Sequence, residues 1–529
     1  MNIYDEQAFK GLTEQEIFDT LFSTIIDEEK ITCLGQILER SAKLFPEGLA
    51  LICHDDRNVT FHELYYYAMA LSKNLIERGI QPGDRVLLLF ENSLAFYVSY
   101  FGIIQAGAVV APLNTFLTER ELTHIIQDAE PKLLICSKED AQKLRATPTT
   151  LPPIIEETDI DVTSELPARL PEFNVRKLPF EDMAALLYTS GTTGFPKGVM
   201  LSSKNILTNV MQVISRFSIN KRQRLIAILP LFHSLAQNVC VWAGVLMGCT
   251  TIIVPKIERR SIFKGLAHKP TIFVGVPALY GLLALLRKAD FDSVEYFFSG
   301  GDALPDKIRA AFSLIYRRKI SSGYGVTEAS PVVSVDMDDV NEPTNCVGRP
   351  LYGVHCEIRN NGKVLPANHI GKLWLKGDSI MLGYYHAPEI TKESFADSWF
   401  CTGDLGYIDA NGKIVITGRE KDLIINKGFN IYPQEIENVL LLHPNVIQVG
   451  VIGDPDPMVG QVPIAYVQLR AADEKIEPAL RELCKKHLAP YKIPRDFICT
   501  TEALPATATG KVDKKVLRKR LQESKANKE

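Results

Sequence analysis

A loop rich in glycine and hydroxyl side chains is the strongest chemical feature of the chain. Residues 188–199 read YTSGTTGFPKGV, after the apolar run 183–187 and ahead of a segment with helical spacing. Glycine lets backbone N–H groups approach a phosphate, hydroxyls add donors, and a lysine supplies a point charge for the β- and γ-phosphates. The spacing does not fit a Walker A motif, and a plain turn would not need so many glycines and hydroxyls beside a lysine. The predicted phosphate-binding residues are Thr189, Ser190, Gly191, Thr192, Thr193, Gly194 and Lys197.

Further motifs follow one another along the chain. They are QAGAVVAPLN at 105–114, GYGVTE at 323–328, WFCTGDLG at 399–406, GREKDLII at 418–425, KGFNIYPQEIE at 427–437 and TGK at 509–511. In this order they resemble the adenylate-forming superfamily, which contains acyl-CoA synthetases, aryl-CoA ligases, peptide-synthetase adenylation domains and beetle luciferases. The resemblance covers nearly the whole chain from about Thr60.

The resemblance implies how the chain would bind the adenine of ATP. Tyr324 would stack on the base, and Gly300 and Gly301 would contribute further contacts. Asp302 departs from the family, which often has a small residue at this position.

The same resemblance implies roles at the phosphate and the ribose. Thr327 would hydrogen-bond the α-phosphate, and Glu328 would hold Mg²⁺, a hard cation that takes a carboxylate together with phosphate oxygens. Asp404 would accept both ribose hydroxyls, and Arg419 would approach the same sugar. Asp409, which precedes an Asn-Gly turn, is interpreted as a turn-capping residue instead.

The resemblance implies that three residues near the C-terminus act in the two successive steps of the reaction. By resemblance, Lys511 would contact both the substrate carboxylate and ATP and stabilise the charge that builds up during adenylation. Lys421 falls at the hinge position of the family, about which the small domain rotates after adenylation. That rotation would withdraw Lys511 and bring the Gly428 loop to the channel for the thiol of coenzyme A.

The segment between Leu225 and Pro255 contains no acidic residue, and the resemblance implies that it lines the acyl pocket. An amino acid substrate would bring an ammonium group whose unpaired burial is costly, so an apolar carboxylic acid is favoured. A fatty acid fits best, and an aryl acid stays open. In the family, the position of His233 lies near the carboxylate and gates this pocket; the alternative is a histidine that is satisfied within the core.

These features predict an ATP-dependent acyl-CoA synthetase with ATP, Mg²⁺ and coenzyme A as cofactor and co-substrates. The acid would be activated as acyl-AMP with release of pyrophosphate, and coenzyme A would then take the acyl group and release AMP. The alternatives are an aryl-CoA ligase, a ligase that loads an acyl carrier protein, and a non-catalytic adenylate-binding protein.

The order of the predicted helices and strands that position these residues indicates an α/β fold. Helices alternate with short apolar strands through 61–136 and again through 205–299, as in a parallel sheet with covering helices. The prolines between 145 and 178 mark a connecting region, and the hairpin signals after Cys346 predict a small, barrel-like β unit. We therefore predict a large domain over 1–418, with two αβ sheet subdomains and the β unit, and a smaller, mobile α+β domain over 419–529.

Composition limits the partners and the cellular location that we expect for this chain. The 529 residues carry a formal net charge of −4, which gives no reason to expect nucleic acid as a partner. Ten scattered cysteines, without metal-ligand spacing, favour a reducing compartment, and we expect a cytoplasmic location. The charge-free stretch 225–255 contains polar groups such as His233 and Asn238 that would need partners in lipid, so it is not interpreted as a membrane span. Peripheral membrane contact and oligomeric state stay open.

Overall fold

The computed structural model describes residues 3–5, 7–147, 149–164, 166–167, 173–189, 195–286, 289–338, 345–427, 429–507 and 511–526. The N-terminal part alternates helices and strands as predicted. Helix starts at Thr60 and Thr118 are capping boxes, because each hydroxyl accepts from a backbone N–H three residues on and a glutamate there reaches back. The elements are α1 (Glu14–Phe22), α2 (Gly35–Leu44), β1 (Leu49–Ile52), β2 (Asn58–Thr60), α3 (Phe61–Glu77), β3 (Arg85–Leu89), α4 (Leu94–Gln105), β4 (Val109–Pro112), α5 (Glu119–Ala129), β5 (Leu133–Cys136), α6 (Lys138–Arg145) and β6 (Ile154–Glu156).

The middle of the chain continues the alternation. Its elements are β7 (Met183–Thr189), β8 (Lys197–Ser202), α7 (Ser203–Phe217), β9 (Arg224–Ala227), α8 (Ser234–Ala236), α9 (Gly244–Met247), β10 (Thr250–Ile253), α10 (Arg259–Ala267), β11 (Ile272–Gly275), α11 (Pro277–Leu286), β12 (Tyr296–Ser299), α12 (Asp306–Tyr316), β13 (Ser321–Gly325), β14 (Val332–Val335) and β15 (Arg349–Pro350). A buried π-helical segment, Gln237–Ala243, joins α8 to α9. The charge-free stretch is therefore a strand, a loop and a buried helical segment, as predicted. In the described part of the chain, no helix is both long and apolar enough to cross a membrane.

Two large sheets result from this alternation. The first has the order β15-β14-β13-β12-β11-β9-β10-β1-β2, with parallel pairing from β13 through to β1. The second has the order β7-β4-β3-β5-β6 as its parallel part, and β8 extends it antiparallel to β7. The prediction of a connecting region without elements between 145 and 178 is wrong at Ile154–Glu156, which forms an edge strand beside β5.

The β unit predicted after Cys346 is an antiparallel sheet. Its elements are β16 (His355–Asn360), β17 (Lys363–Val364), β18 (Gly371–Lys376), β19 (Gly383–Tyr384), α13 (Pro388–Ser394), β20 (Phe395–Ala396), β21 (Trp399–Ile408) and β22 (Ile414–Arg419). The hairpin turns predicted at Asn361 and Gly362 and at Gly412 have positive φ angles. β19 leaves this unit and pairs with β8, which ties the β unit to the second large sheet.

The C-terminal part is an α+β unit, as predicted. Its elements are β23 (Ile424–Asn426), β24 (Phe429–Ile431), α14 (Pro433–Leu440), β25 (Val446–Asp456), β26 (Gly460–Leu469), α15 (Ile476–His487), β27 (Asp496–Thr500) and α16 (Lys514–Ala526). Its hydrophobic clusters begin at Ile424 and contain no residue from the preceding part of the chain. The C-terminal unit therefore has apolar clusters of its own, separate from those of the preceding part.

Candidate active site

The carboxyl ends of β12 and β13 bring the predicted nucleotide residues to one edge of the first sheet. The two strands are parallel neighbours, with Phe298 opposite Ser321. β12 runs directly into Gly300 and Gly301, and β13 contains Tyr324. Ligands of α/β proteins bind at such carboxyl ends, so the predicted adenine residues lie where the fold favours a ligand.

A buried carboxylate connects this edge to the β unit. Asp404 in β21 lies opposite Arg419 in β22, and Arg419 Nε is 3.1 Å from Asp404 Oδ1. The Tyr324 hydroxyl donates to Asp404 Oδ2 at 2.5 Å. Burial and the neighbouring Asp404 carboxylate raise the pKa of Tyr324 well above its ordinary value, so the hydroxyl remains protonated and can donate. Tyr324, Asp404 and Arg419 therefore form one connected polar group.

The predicted phosphate side is assembled around Glu328. The Tyr384 hydroxyl donates to Glu328 Oε1 at 2.8 Å, and Lys197 Nζ lies 5.4 Å from the centroid of the Tyr384 ring. Burial raises the pKa of Glu328. Thr327 occupies the same 3₁₀ turn as Glu328, and its Oγ1 is 3.4 Å from Ser234 Oγ.

The phosphate loop connects two strands. The apolar run before it forms β7, and the helical segment predicted after the motif is α7, which begins at Ser203. The strand β8, which forms a hairpin with β7, lies between the loop and α7 and was not predicted. The hairpin ends with Thr189 opposite Lys197, which fixes both ends of the loop. The predicted residues Ser190, Gly191, Thr192, Thr193 and Gly194 lie outside the described residues.

Lys511 reaches the same edge from the C-terminal unit. Its Nζ donates to the carbonyl oxygen of Gly301 at 3.1 Å and lies 3.3 Å from Asp302 Oδ1. The structure thus brings Lys511 together with the predicted nucleotide residues, although they are far apart in sequence.

The predicted hinge is a short connection. Lys421 is exposed in a single 3₁₀ turn, Glu420–Asp422, between β22 and β23. Arg518 in α16 donates to Asp422 Oδ1 at 2.6 Å, so the end of this turn is attached to the C-terminal unit. Gly428, predicted for the thiol channel, lies outside the described residues.

An apolar cavity of about 440 Å³ opens from this edge. His233, in the loop before α8, lines it; its Nε2 is buried and has no hydrogen-bond partner among the described residues. Burial lowers the pKa of His233 from 6.5 to about 4, so the imidazole is neutral at neutral pH. The cavity is lined by Leu229, Pro230, His233, Ser234, Leu235, Ile257, Val276, Ala278, Leu279, Leu282, Phe298, Gly300, Gly301, Gly323, Tyr324, Gly325, Val326, Thr327, Pro331 and Val332.

Two residues at the site were not assigned a role from the sequence. Tyr384 reaches Glu328 only because β19 pairs with β8, and nothing in its local sequence indicates this contact. Asp302 was noted only as a departure, and that departure is the one signal that could have drawn attention to it. Asp409 is a turn-capping residue, as predicted, since its Oδ1 accepts from the backbone N–H groups of Asn411 and Lys413.

A buried carboxylate at the edge of a parallel sheet, a lysine arriving from a second unit and an adjoining acyl-sized cavity define a two-unit enzyme that activates acids with ATP. Residues 38–385 match the family model of the AMP-binding enzymes, and residues 435–511 match that of the AMP-binding enzyme C-terminal domain. The chain belongs to the AMP-binding enzyme family and, within it, to the acyl-CoA ligases of the adenylate-forming superfamily. It is an AMP-forming acid–thiol ligase that uses ATP and coenzyme A.

Curated relatives share the activity type and differ in their acids. A long-chain-fatty-acid–CoA ligase of Bacillus subtilis is 31% identical, with 93% of this chain and 94% of the relative covered. A feruloyl-CoA synthase of an Amycolatopsis species is 32% identical over 92% and 99%. A sulfoacetate–CoA ligase of Cupriavidus necator is 32% identical over 95% and 98%. Overall similarity therefore does not identify the acid.

Among solved structures, MatB from Rhodopseudomonas palustris allows two states of one protein to be compared. The ATP-bound form is 30% identical to this chain and has a TM-score of 0.84, with 93% of this chain and 99% of MatB covered. The apo form, with the same identity and coverage, has a TM-score of 0.74. The present structure is thus more similar to the ATP-bound form.

Proposed function

We propose that this ligase activates an apolar carboxylic acid, in particular a medium- or long-chain fatty acid. The observation that carries the proposal is the cavity beside His233, whose lining contains no acidic or basic side chain among the described residues apart from that neutral imidazole. Among the described residues, the only polar side chains of the lining are those of His233, Ser234, Tyr324 and Thr327, and Ser234 Oγ lies 3.4 Å from Thr327 Oγ1. The rest of the wall is aliphatic, aromatic or glycine.

This lining discriminates between classes of acid. A second charged group on the substrate, such as a sulfonate or an ammonium, would be buried without a partner, at a cost of several kcal/mol. His233 would not supply a positive charge, because burial keeps it neutral. An alkyl chain instead gains roughly 0.8 kcal/mol for each methylene that leaves water.

We assign the nucleotide roles to the residues gathered at the sheet edge. Asp404 would accept the ribose hydroxyls, because each carboxylate oxygen has one donor in the structure and retains capacity for another. Arg419 would contact the same sugar, and Tyr324 would present its ring to the adenine. Gly300 and Gly301 would leave space for the base, since they carry no side chain.

The phosphate roles fall to residues of the second sheet and the turn after β13. Thr327 would hydrogen-bond the α-phosphate, and Lys197, at the end of the β7–β8 hairpin, would contact the β- and γ-phosphates. The loop residues from Ser190 to Gly194 keep their predicted role as donors to phosphate.

Glu328 fits a magnesium ion. It offers a half-buried carboxylate that Tyr384 holds through one oxygen, and a carboxylate is the hard oxygen ligand that Mg²⁺ prefers. The described residues contain no cluster of three or more His, Cys, Asp or Glu side chains that could hold a metal, so phosphate oxygens would complete its coordination. When bound, the ion would neutralise charge on the phosphates, as magnesium does in phosphoryl-transfer enzymes.

Lys511 would serve the first half-reaction and leave before the second. The acid oxygen bonds to the α-phosphorus of ATP while the bond to pyrophosphate breaks, and the Lys511 ammonium offsets the accumulating negative charge. The thiolate of coenzyme A then attacks the acyl carbon, and AMP leaves. We place the division between the domains after residue 418 and the hinge at Lys421; rotation there would replace Lys511 by the Gly428 loop.

The decisive experiment measures acid-dependent exchange of labelled pyrophosphate into ATP. The acids are saturated fatty acids of increasing length, ferulate and sulfoacetate. We expect the highest kcat/KM with a fatty acid and no exchange with sulfoacetate. A maximum with ferulate would establish the aryl-CoA ligase instead, and no exchange with any of the fatty acids would contradict the proposed substrate class. Thioester formation with free coenzyme A, compared with an acyl carrier protein, identifies the acceptor.

A further inference from the structure

The loop between β12 and α12 contains an acidic residue beside the lysine that we assign to adenylation. Asp302 Oδ1 lies 3.3 Å from Lys511 Nζ, and the neighbouring carbonyl of Gly301 accepts from the same ammonium at 3.1 Å. Asp302 belongs to the large sheet unit and Lys511 to the C-terminal unit. The pair therefore crosses between two parts of the chain that have separate cores.

We infer that Asp302 is a positioning residue for Lys511, which holds its ammonium at the nucleotide end of the acyl cavity and so favours the adenylating arrangement of the two units. The inference rests on the proposed role of Lys511. Gly301 lines the cavity and contacts Lys511, so the ammonium stands beside the place where the acid and ATP would meet. A lysine side chain has several rotatable bonds, and an opposite charge at this distance reduces the positions that it samples.

A second contact joins the same part of the large unit to the C-terminal unit and supports the inference. Lys307, in the first turn of α12, donates to the carbonyl oxygens of His443 and Val446 at 3.3 Å each. Burial and the nearby Arg470 lower the pKa of Lys307. Residues 302–307 therefore hold the C-terminal unit at two points, one through a carboxylate and one through an ammonium.

The ion pair between Asp302 and Lys511 is exposed enough to be broken when the two units rotate. Lys511 is 36% exposed and Asp302 is 40% exposed, and ion pairs that water can reach contribute little each. A fully buried pair would resist separation, because removing one partner from a buried pair leaves an uncompensated charge. Asp302 can thus favour the adenylating arrangement without preventing the later rotation about Lys421.

The first test needs no activity. Carbodiimide, which joins a carboxylate and an amine in direct contact, is applied to the full-length protein without substrates, and linked peptides are identified by mass spectrometry. We expect a 302–511 link, with Glu435–Lys492, 2.7 Å apart inside the C-terminal unit, as the internal positive control. Formation of the control link without the 302–511 link overturns the inference.

The second test separates the half-reactions with Asp302→Asn. Asp302 Oδ1 also accepts from the backbone N–H of Ala303, and asparagine keeps that acceptor while losing the charge. We expect pyrophosphate exchange to slow by about two- to fivefold, the range for a solvent-accessible ion pair. Thioester formation from supplied dodecanoyl-AMP should be unchanged or faster. Equal slowing of both half-reactions, or no change in exchange, contradicts the inference.

Asp290→Asn is the matched control. Asp290 is exposed in the segment before β12, and its Oδ1 also accepts from a backbone N–H, that of Asp292. The substitution Asp290→Asn also removes one negative charge from the large unit, and it should change neither half-reaction. Wild-type protein that forms the 302–511 link but shows no exchange with any acid would contradict the proposed function and leave the contact itself established.

Discussion

Arg419 and Asp404 face each other across β21 and β22, with Arg419 Nε 3.1 Å from Asp404 Oδ1. The two side chains differ in exposure: the Asp404 side chain is 6% exposed and that of Arg419 is 47% exposed. Tyr324 holds the other carboxylate oxygen. The buried carboxylate is thus fixed in orientation from two sides, while the arginine keeps one side open to a ligand.

Asp404→Asn should weaken ATP binding much more than it weakens the fold. The amide keeps one acceptor oxygen but loses the charge and the second acceptor, and hydrogen bonds to charged groups contribute roughly 1.5–3 kcal/mol. We expect the KM for ATP in pyrophosphate exchange to rise by about 10-fold or more. Asp409→Asn, in the turn after the same strand, should leave that KM unchanged because asparagine can also cap the turn. Equal KM values for the two variants would exclude the ribose role.

Lys511→Ala should separate the two half-reactions. Loss of one preorganised donor at a developing charge lowers kcat by roughly 10²–10³-fold. We expect a decrease of this order in acyl-AMP formation and near-normal thioester formation from supplied acyl-AMP. Lys519→Ala, which removes an exposed lysine of α16, is the control. Loss of both half-reactions to the same extent would argue against withdrawal of Lys511 during the cycle.

The elements could be predicted where the apolar pattern is long or regular. α5 and β12 lie within the two ranges where helices and strands are predicted to alternate, and each has a clear helical or strand period bounded by turn residues. The edge strand Ile154–Glu156 was missed because it is only three residues long and directly follows two prolines. A strand this short gains its stability from pairing with β5, which no local pattern indicates.

The site could be predicted in part, for a related reason. The motifs supplied Asp404, Arg419 and Lys511, yet the opposition of the first two depends on the register of β21 and β22. The contact of Tyr384 with Glu328 depends on the pairing of β19 with β8, and that of Asp302 with Lys511 depends on how the two units meet. Long-range contacts of this kind arise from tertiary packing. The sequence therefore identifies the residues of the site but not the residues that they contact.

His233 should make the large unit less stable in mild acid. Burial lowers its pKa from 6.5 to about 4, so between these values the unfolded chain binds a proton that the folded protein does not. Stability from this group is full above pH 6.5 and is lost as the pH falls through the window. Between pH 6.5 and pH 5 the loss is about 2 kcal/mol.

His233→Phe removes the titrating group and keeps an aromatic ring beside Phe232. Urea unfolding followed by tryptophan fluorescence at pH 7 and pH 5 should show a smaller difference in unfolding free energy for this variant than for the wild type. His369→Gln, at an exposed position, is the control. The same pH difference in His233→Phe as in the wild type would show that His233 is charged in the folded protein.

Phe298 should limit the length of the acyl chain. It lines the large cavity and also a small apolar cavity behind it, together with Leu235 and Val332. Phe298→Leu removes part of the wall between the two cavities and leaves more space for the acyl chain. The fatty acid with the highest kcat/KM in pyrophosphate exchange should therefore be longer for this variant than for the wild type. Each further buried methylene contributes roughly 0.8 kcal/mol, or about fourfold in kcat/KM.

Ala278→Leu provides the opposite change at another part of the cavity wall. Ala278 is exposed at the start of α11 and lines the cavity with Leu282, so a leucine can be accommodated by the helix while it reduces the cavity volume. We expect the maximum to move to shorter acids, with the KM for ATP unchanged in both variants because neither residue is assigned to the nucleotide. Movement of both maxima in the same direction would mean that the acyl chain does not run between Phe298 and Ala278.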